Sequence, residues 1–160
     1  MNKTKLFLSL LRISLGLIFL WAFFDKLFGF GLATPLDKGW IEGNSPTYGF
    51  LTHATKGPFA SLYKSIAGNL IVDILFMSGM LLIGLTLLFG ILVNIASMSG
   101  SLMMFFIWLA ELPPQNHPFL DEHIIYVLVF LLFIFNDSGY LGFGKWWKNR
   151  KIVKRFGFLR

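Results

Sequence analysis

The chain has 160 residues, of which 56% are hydrophobic and only 14% are charged, with a formal net charge of +6 and a mean hydropathy of +0.69. Soluble domains carry about one quarter charged residues, so this composition excludes an ordinary soluble domain, and its length leaves no room for a second domain of normal size. There are no cysteines, which excludes disulfides, thiolate catalysis, persulfide carriage on the chain and Cys-ligated metal or iron–sulfur sites.

In chain order, the apolar runs predict four membrane spans at residues 6–28, 66–88, 95–112 and 123–135. The expected fold is an all-α, integral membrane four-helix bundle. The first run follows Met1–Lys5 and is too long for the apolar core of a signal peptide, so it reads as a retained span. The fourth is short against the ~20 residues a bilayer requires. Residues 29–65 form a long outer loop, punctuated by Gly and Pro and carrying Trp40, Tyr48, Phe50 and Tyr63, and it reads as a cap over one end of the bundle. The connection between the second and third spans is short and uncharged, which predicts a tight antiparallel hairpin. Asn94, Ser97, Ser99 and Gly100 there are small or compact enough for close helix packing. Residues 145–160 form a basic tail behind the Trp146–Trp147 pair, an expected interfacial anchor.

Charge orients these spans. Lys3, Lys5, Arg12, Lys145, Lys148, Arg150, Lys151, Lys154, Arg155 and Arg160 fall on one side with a single acid, Asp137. The other side holds Asp25, Asp37, Glu42, Asp73, Glu111, Asp121 and Glu122, with Lys26, Lys38, Lys56 and Lys64. The positive-inside rule puts both termini in the cytoplasm of a multi-pass cell-membrane protein. The basic excess then serves membrane anchoring, and no nucleic-acid partner is expected. The expected partners are the lipid bilayer, a soluble or membrane oxidoreductase subunit and further copies of the chain.

At 100° per residue, Arg12, Gly16, Phe19, Phe23 and Lys26 lie on one line of the first span, with Trp21 and Asp25 nearly opposite. Asp73, Met77, Met80, Gly84 and Leu87 share a stripe on the second, and Ser97, Gly100, Met104, Trp108 and Glu111 share one on the third. His123, Val127, Phe130, Ile134 and Asp137 do so on the fourth. An Asp at the depth of Asp73 costs a few kcal/mol unless it is paired, neutral or wet, and Lys26 or Arg12 is its expected partner. Arg12 either snorkels to headgroups or belongs to a site. Asp25–Lys26 and Asp121–Glu122 are either helix-end charges or site groups, and Trp108 either lines a flat ligand or fills the core. The methionines read as packing. His53 has no informative neighbours. His117, Asp121 and His123 match no strong ligand spacing, so no metal is expected.

The run Leu11-Arg12-Ile13-Ser14-Leu15-Gly16, followed by Trp21-Ala22-Phe23-Phe24-Asp25-Lys26-Leu27-Phe28-Gly29, resembles the first helix of the DoxX/DoxD membrane proteins. Trp40 to Leu51 is similar to their first outer loop, and Asn116 to Ile124 to the segment before their fourth helix. The resemblance implies a four-helix membrane fold and a role like the membrane subunit of thiosulfate:quinone oxidoreductase. Arg12, Asp25, Lys26, Asn116 and Asp121, joined by Trp108 from the facing argument, are then the expected substrate-binding residues. Glu111, His123 and Asp73 are the expected catalytic ones. The resemblance also implies quinone as the cofactor, and no haem, flavin, iron–sulfur or metal motif is visible. Two other functions compete: a non-catalytic scaffold for a soluble oxidoreductase, and a small-solute carrier built on Asp73 and Lys26.

Overall fold

A computed structural model describes residues 3–136 and 138–159 of the chain. Asp137 and Arg160, both assigned to the inner side by charge, lie outside the described residues. Seven helices follow in order: α1 (Lys3–Phe28), α2 (Ala60–Ser65), α3 (Leu70–Phe89), α4 (Val93–Ala110), α5 (Glu122–Phe135), α6 (Gly144–Lys148) and α7 (Lys151–Arg155). Short helical turns at Trp40–Glu42, Phe50–Ala54 and Gly57–Phe59 shape the long connection, and Gly157–Leu159 forms a last one. There is no strand among the described residues. Helices α1, α3 and α4 are long and apolar enough to cross a membrane, whereas α5 has 14 residues, about 21 Å at 1.5 Å per residue.

The second apolar run does not form one helix from Ile66. Gly68 takes a left-handed conformation at φ 76°, which stops the short α2 from continuing. The Asn69 side chain then accepts from the Ile71 amide at 2.9 Å and caps a new helix, α3. At the other end, Gly90 at φ 75° closes α3, its amide donating to the Thr86 carbonyl at 2.9 Å. The chain reverses within three residues to start α4, which gives the expected tight α3–α4 hairpin.

Helix α1 packs on α3, α3 on α4 and α4 on α5. One apolar core takes residues from all four: Leu15, Phe19 and Phe23 from α1, Met77, Met80, Ile83 and Leu87 from α3, Val93, Ala96 and Met104 from α4, and Phe130 and Phe133 from α5. An edge-to-face contact between Phe19 and Phe130, ring centroids 5.8 Å apart, joins the first helix to the last of these. Only 39%, 33% and 33% of the apolar windows of α1, α3 and α4 are buried. Large side chains such as Leu75 and Phe135 stay 66% and 80% exposed. Apolar surface of that extent is what a helix facing lipid presents.

The α1–α3 contact depends on Gly16. A methyl group there would lie 2.8 Å from the Leu88 amide nitrogen and 3.0 Å from the Gly84 carbonyl oxygen, both backbone atoms that cannot swing aside. Gly16→Ala is therefore expected to lower stability by about 1–3 kcal/mol in detergent-solubilised thermal unfolding. Gly49→Ala, where a methyl meets nothing within 4 Å, serves as the neutral comparison. Equal behaviour of the two variants would show that close backbone approach does not limit this interface.

Candidate functional site

Arg12 does not snorkel. It is fully buried, and all three of its donor nitrogens are engaged by backbone carbonyls. Nε donates to Ser138 O at 3.1 Å, Nη2 to Leu141 O at 2.6 Å, and Nη1 to Leu87 O and, at 3.3 Å, to Leu88 O. Leu87 and Leu88 lie in the last turn of α3, whose carbonyls have no partner within the helix and carry the negative end of its dipole. The guanidinium fills that end, enclosed by Gly90 and Gly142. Ser9 supports it, donating to Ser138 O at 2.7 Å. Four of the five Arg12 N–H groups are thus spent on backbone carbonyls, and Arg12 sits some 20 Å along α1 from Asp25 at 1.5 Å per residue.

Asp73 is buried as expected, but its partners differ from those expected. No ion pair joins it to Lys26 or Arg12 among the described residues. Its Oδ1 accepts from Thr47 Oγ1 at 2.5 Å, Ser45 Oγ at 2.9 Å and the Thr47 amide at 3.3 Å. The carboxylate thus fastens the long connection to α3, and the Asp73–Lys26 pair on which a solute carrier would rest is not formed. Asp25 stays on the Trp21 side of α1, as facing expects, but residues 31–34 fold back over it: it is 2% exposed, and Oδ2 accepts from the Thr34 amide at 2.8 Å. Lys26 is only half-buried. Trp21, Asp25, Leu32 and Ala33 help to line an apolar groove of about 590 Å³.

A third anchor joins the same connection to α4. The Lys56 amide donates to Ala110 O at 2.8 Å, and the Tyr63 hydroxyl donates to Phe106 O at 2.8 Å. Burial pushes the Tyr63 phenol above its ordinary pKa, so it remains a donor at neutral pH.

The expected convergence of ionisable groups occurs at a narrower place, where α4 ends and α5 begins. Glu111 caps the C-terminus of α4, and Asp121 caps the N-terminus of α5, its Oδ1 accepting from the His123 and Ile124 amides at 3.0 and 3.2 Å. The other Asp121 oxygen lies 3.0 Å from His123 Nδ1, which holds the ring in place. Donor atoms of Glu111, Asp121 and His123 all lie within 4.8 Å of one another, each residue half-buried. Two ionised carboxylates at that separation repel by about 3 kcal/mol at an effective dielectric of 20. Carboxylates held that close favour a positive charge beside them.

Three further sequence candidates shape the link between these helices. Trp108 Nε1 donates to Phe119 O at 2.9 Å, and its ring stacks on Phe105 with centroids 5.6 Å apart, so it holds the 112–120 connection against α4. His117 Nδ1 accepts from the Phe119 and Leu120 amides at 3.1 and 3.0 Å. That organises a turn, and it is Glu111 that joins Asp121 and His123. Asn116 is exposed on the same connection. Asp73 and Asp25 are not part of the three-residue group. The partners missed at sequence level are Thr34, Ser45 and Thr47. Their hydroxyls and amides carry no periodic signal, although Ser45-Pro46-Thr47 is a run able to cap a carboxylate. Comparison with protein-family models, curated proteins and solved structures gives no match.

Proposed function

We propose that the chain is a four-span integral membrane protein of the cell membrane, both termini cytoplasmic, serving as the membrane subunit of a quinone-linked oxidoreductase of thiosulfate:quinone type. The observation that supports this reading is the Glu111–Asp121–His123 group. Quinone reduction takes up two electrons and two protons, and an imidazole held by one carboxylate beside a second is suited to deliver a proton. Asp121 positions His123, and Glu111 and His123 exchange the proton. Electrons come from a partner subunit that reaches the same end of the bundle, and the basic α6–α7 segment at the other end serves anchoring.

That segment also favours a second reading, a non-catalytic scaffold. Arg150 stacks over Trp146 at 3.8 Å and Lys145 over Tyr140 at 5.0 Å, giving a folded cationic surface for a soluble partner or anionic lipid.

Thiosulfate-dependent reduction of a soluble quinone analogue, measured with the chain and whatever co-purifies from native membrane, separates the two. His123→Ala and Glu111→Gln are each expected to lower turnover by about 10²-fold while the thiosulfate KM changes little. Absence of activity in every combination, together with retention of a partner that is lost on deleting residues 145–160, assigns the scaffold role.

A further inference from the structure

Glu111, Asp121 and His123 come from the ends of two different helices, yet their donor atoms fall within 4.8 Å. Glu111 forms no side-chain hydrogen bond, and no lysine or arginine pairs with any of the three among the described residues. The group thus holds two carboxylates and one imidazole with no fixed cation. Asp121 Oδ2 and His123 Nδ1, at 3.0 Å, are close to the roughly 3.3 Å that separates two donors each 2.0–2.2 Å from a tetrahedral zinc ion. Asp121 is anchored as a helix cap, so one donor is fixed before any ion arrives. Glu111 sits at a helix end with its carboxylate unengaged and can adjust. Mixed nitrogen and oxygen donors suit a first-row transition ion, whereas magnesium and calcium favour all-oxygen sites.

We infer that Glu111, Asp121 and His123 form a site for a divalent first-row transition cation, with three protein donors and the remaining coordination positions open to water or a substrate oxygen. The ion supplies the positive charge that the two carboxylates lack, and it competes with the proton for the same lone pairs. The site does not depend on quinone chemistry.

The test uses the full chain purified in detergent, stripped with chelator and dialysed against Zn²⁺, with bound metal counted per chain. Wild type is expected to bind one Zn²⁺. X-ray absorption at the zinc edge is expected to show a nitrogen/oxygen shell with a single imidazole. Glu111→Gln, Asp121→Asn and His123→Ala should each weaken binding at least tenfold, and an excess of Mg²⁺ should not displace the zinc. Asn retains the cap at position 121 and Gln retains the volume at 111, so far-ultraviolet circular dichroism matching wild type separates ligand loss from unfolding. His53→Ala should bind as wild type does. Absence of stoichiometric zinc on wild type, equal binding by the three variants, or loss of binding in His53→Ala overturns the site. Zinc binding without thiosulfate-dependent quinone reduction upholds the site and removes the quinone reading, and the converse result does the opposite.

Discussion

Arg12→Ala is expected to be the most damaging single substitution in the chain, lowering stability by about 3–5 kcal/mol. The guanidinium meets carbonyls of Leu87, Leu88, Ser138 and Leu141, and each buried carbonyl left unsatisfied costs about 1–3 kcal/mol. A cavity is added where the side chain lay fully buried. For a chain of this size the apparent melting temperature should fall by on the order of 10 °C, read by circular dichroism in detergent. Arg12→Lys should recover less than half of the loss, because an ammonium cannot reproduce a planar fork aimed at several separate carbonyls. Lys154→Ala, exposed on α7, should match wild type. An Arg12→Ala protein melting within about 2 °C of wild type would mean that this end of the bundle closes by other means.

The second large effect is expected at Asp73. Asp73→Ala removes the common acceptor of Ser45 Oγ, Thr47 Oγ1 and the Thr47 amide, and Thr47 is itself buried. The expected cost is about 2–4 kcal/mol, since hydrogen bonds to a charged group contribute roughly 1.5–3 kcal/mol each and are not additive here. Hydrogen exchange gives the local readout: the Thr47 amide should exchange at least tenfold faster while the interior of α3 is unchanged. Asp73→Asn retains an oxygen in the same place and should lose far less. Combining Asp73→Ala with Thr47→Val should add little to either alone, because both break one network. Should Asp73→Asn prove as damaging as Asp73→Ala, the charge and not the acceptor is what matters, and Asp73 returns to the functional residues.

Helices α1, α3 and α4 were legible because length and hydropathy identify them. Residue periodicity also gave most of the buried stripes: Asp73, Met77, Met80, Gly84 and Leu87 on α3 are all buried, as are Ser97, Gly100 and Met104 on α4. What periodicity could not supply were the partners of the buried charges. Arg12 is satisfied by backbone carbonyls, and any residue carries one, so its partners leave no trace in side-chain identity. Asp25, through one oxygen, and Asp73 find their partners in a connection whose path depends on glycines with positive φ at Gly29, Gly31 and Gly43, and helical facing says nothing about such a path. The three-residue group was half legible. Asp121 and His123 are near neighbours in sequence, but their third member is Glu111 across a ten-residue excursion, while the nearer His117 is spent on a turn. Spacing along the chain predicts metal or proton sites when the donors share one element, and here they belong to the ends of two.

The partners of Arg12 also carry an order in time. Its carbonyls belong to residues 87–88 and 138–141, so the first helix is synthesised long before anything that can hold its guanidinium. On the membrane reading, an arginine alone in a newly inserted helix costs about 2.5–3.5 kcal/mol at the bilayer centre, which holds that helix shifted toward the inner headgroups. Only when the hairpin of α3 and α4 is in place and the segment after α5 has emerged can Arg12 move to its final depth. A late part of the chain therefore sets the position of the first helix, and a ribosome stalled before residue 138 would leave a bundle whose leading helix is not yet seated.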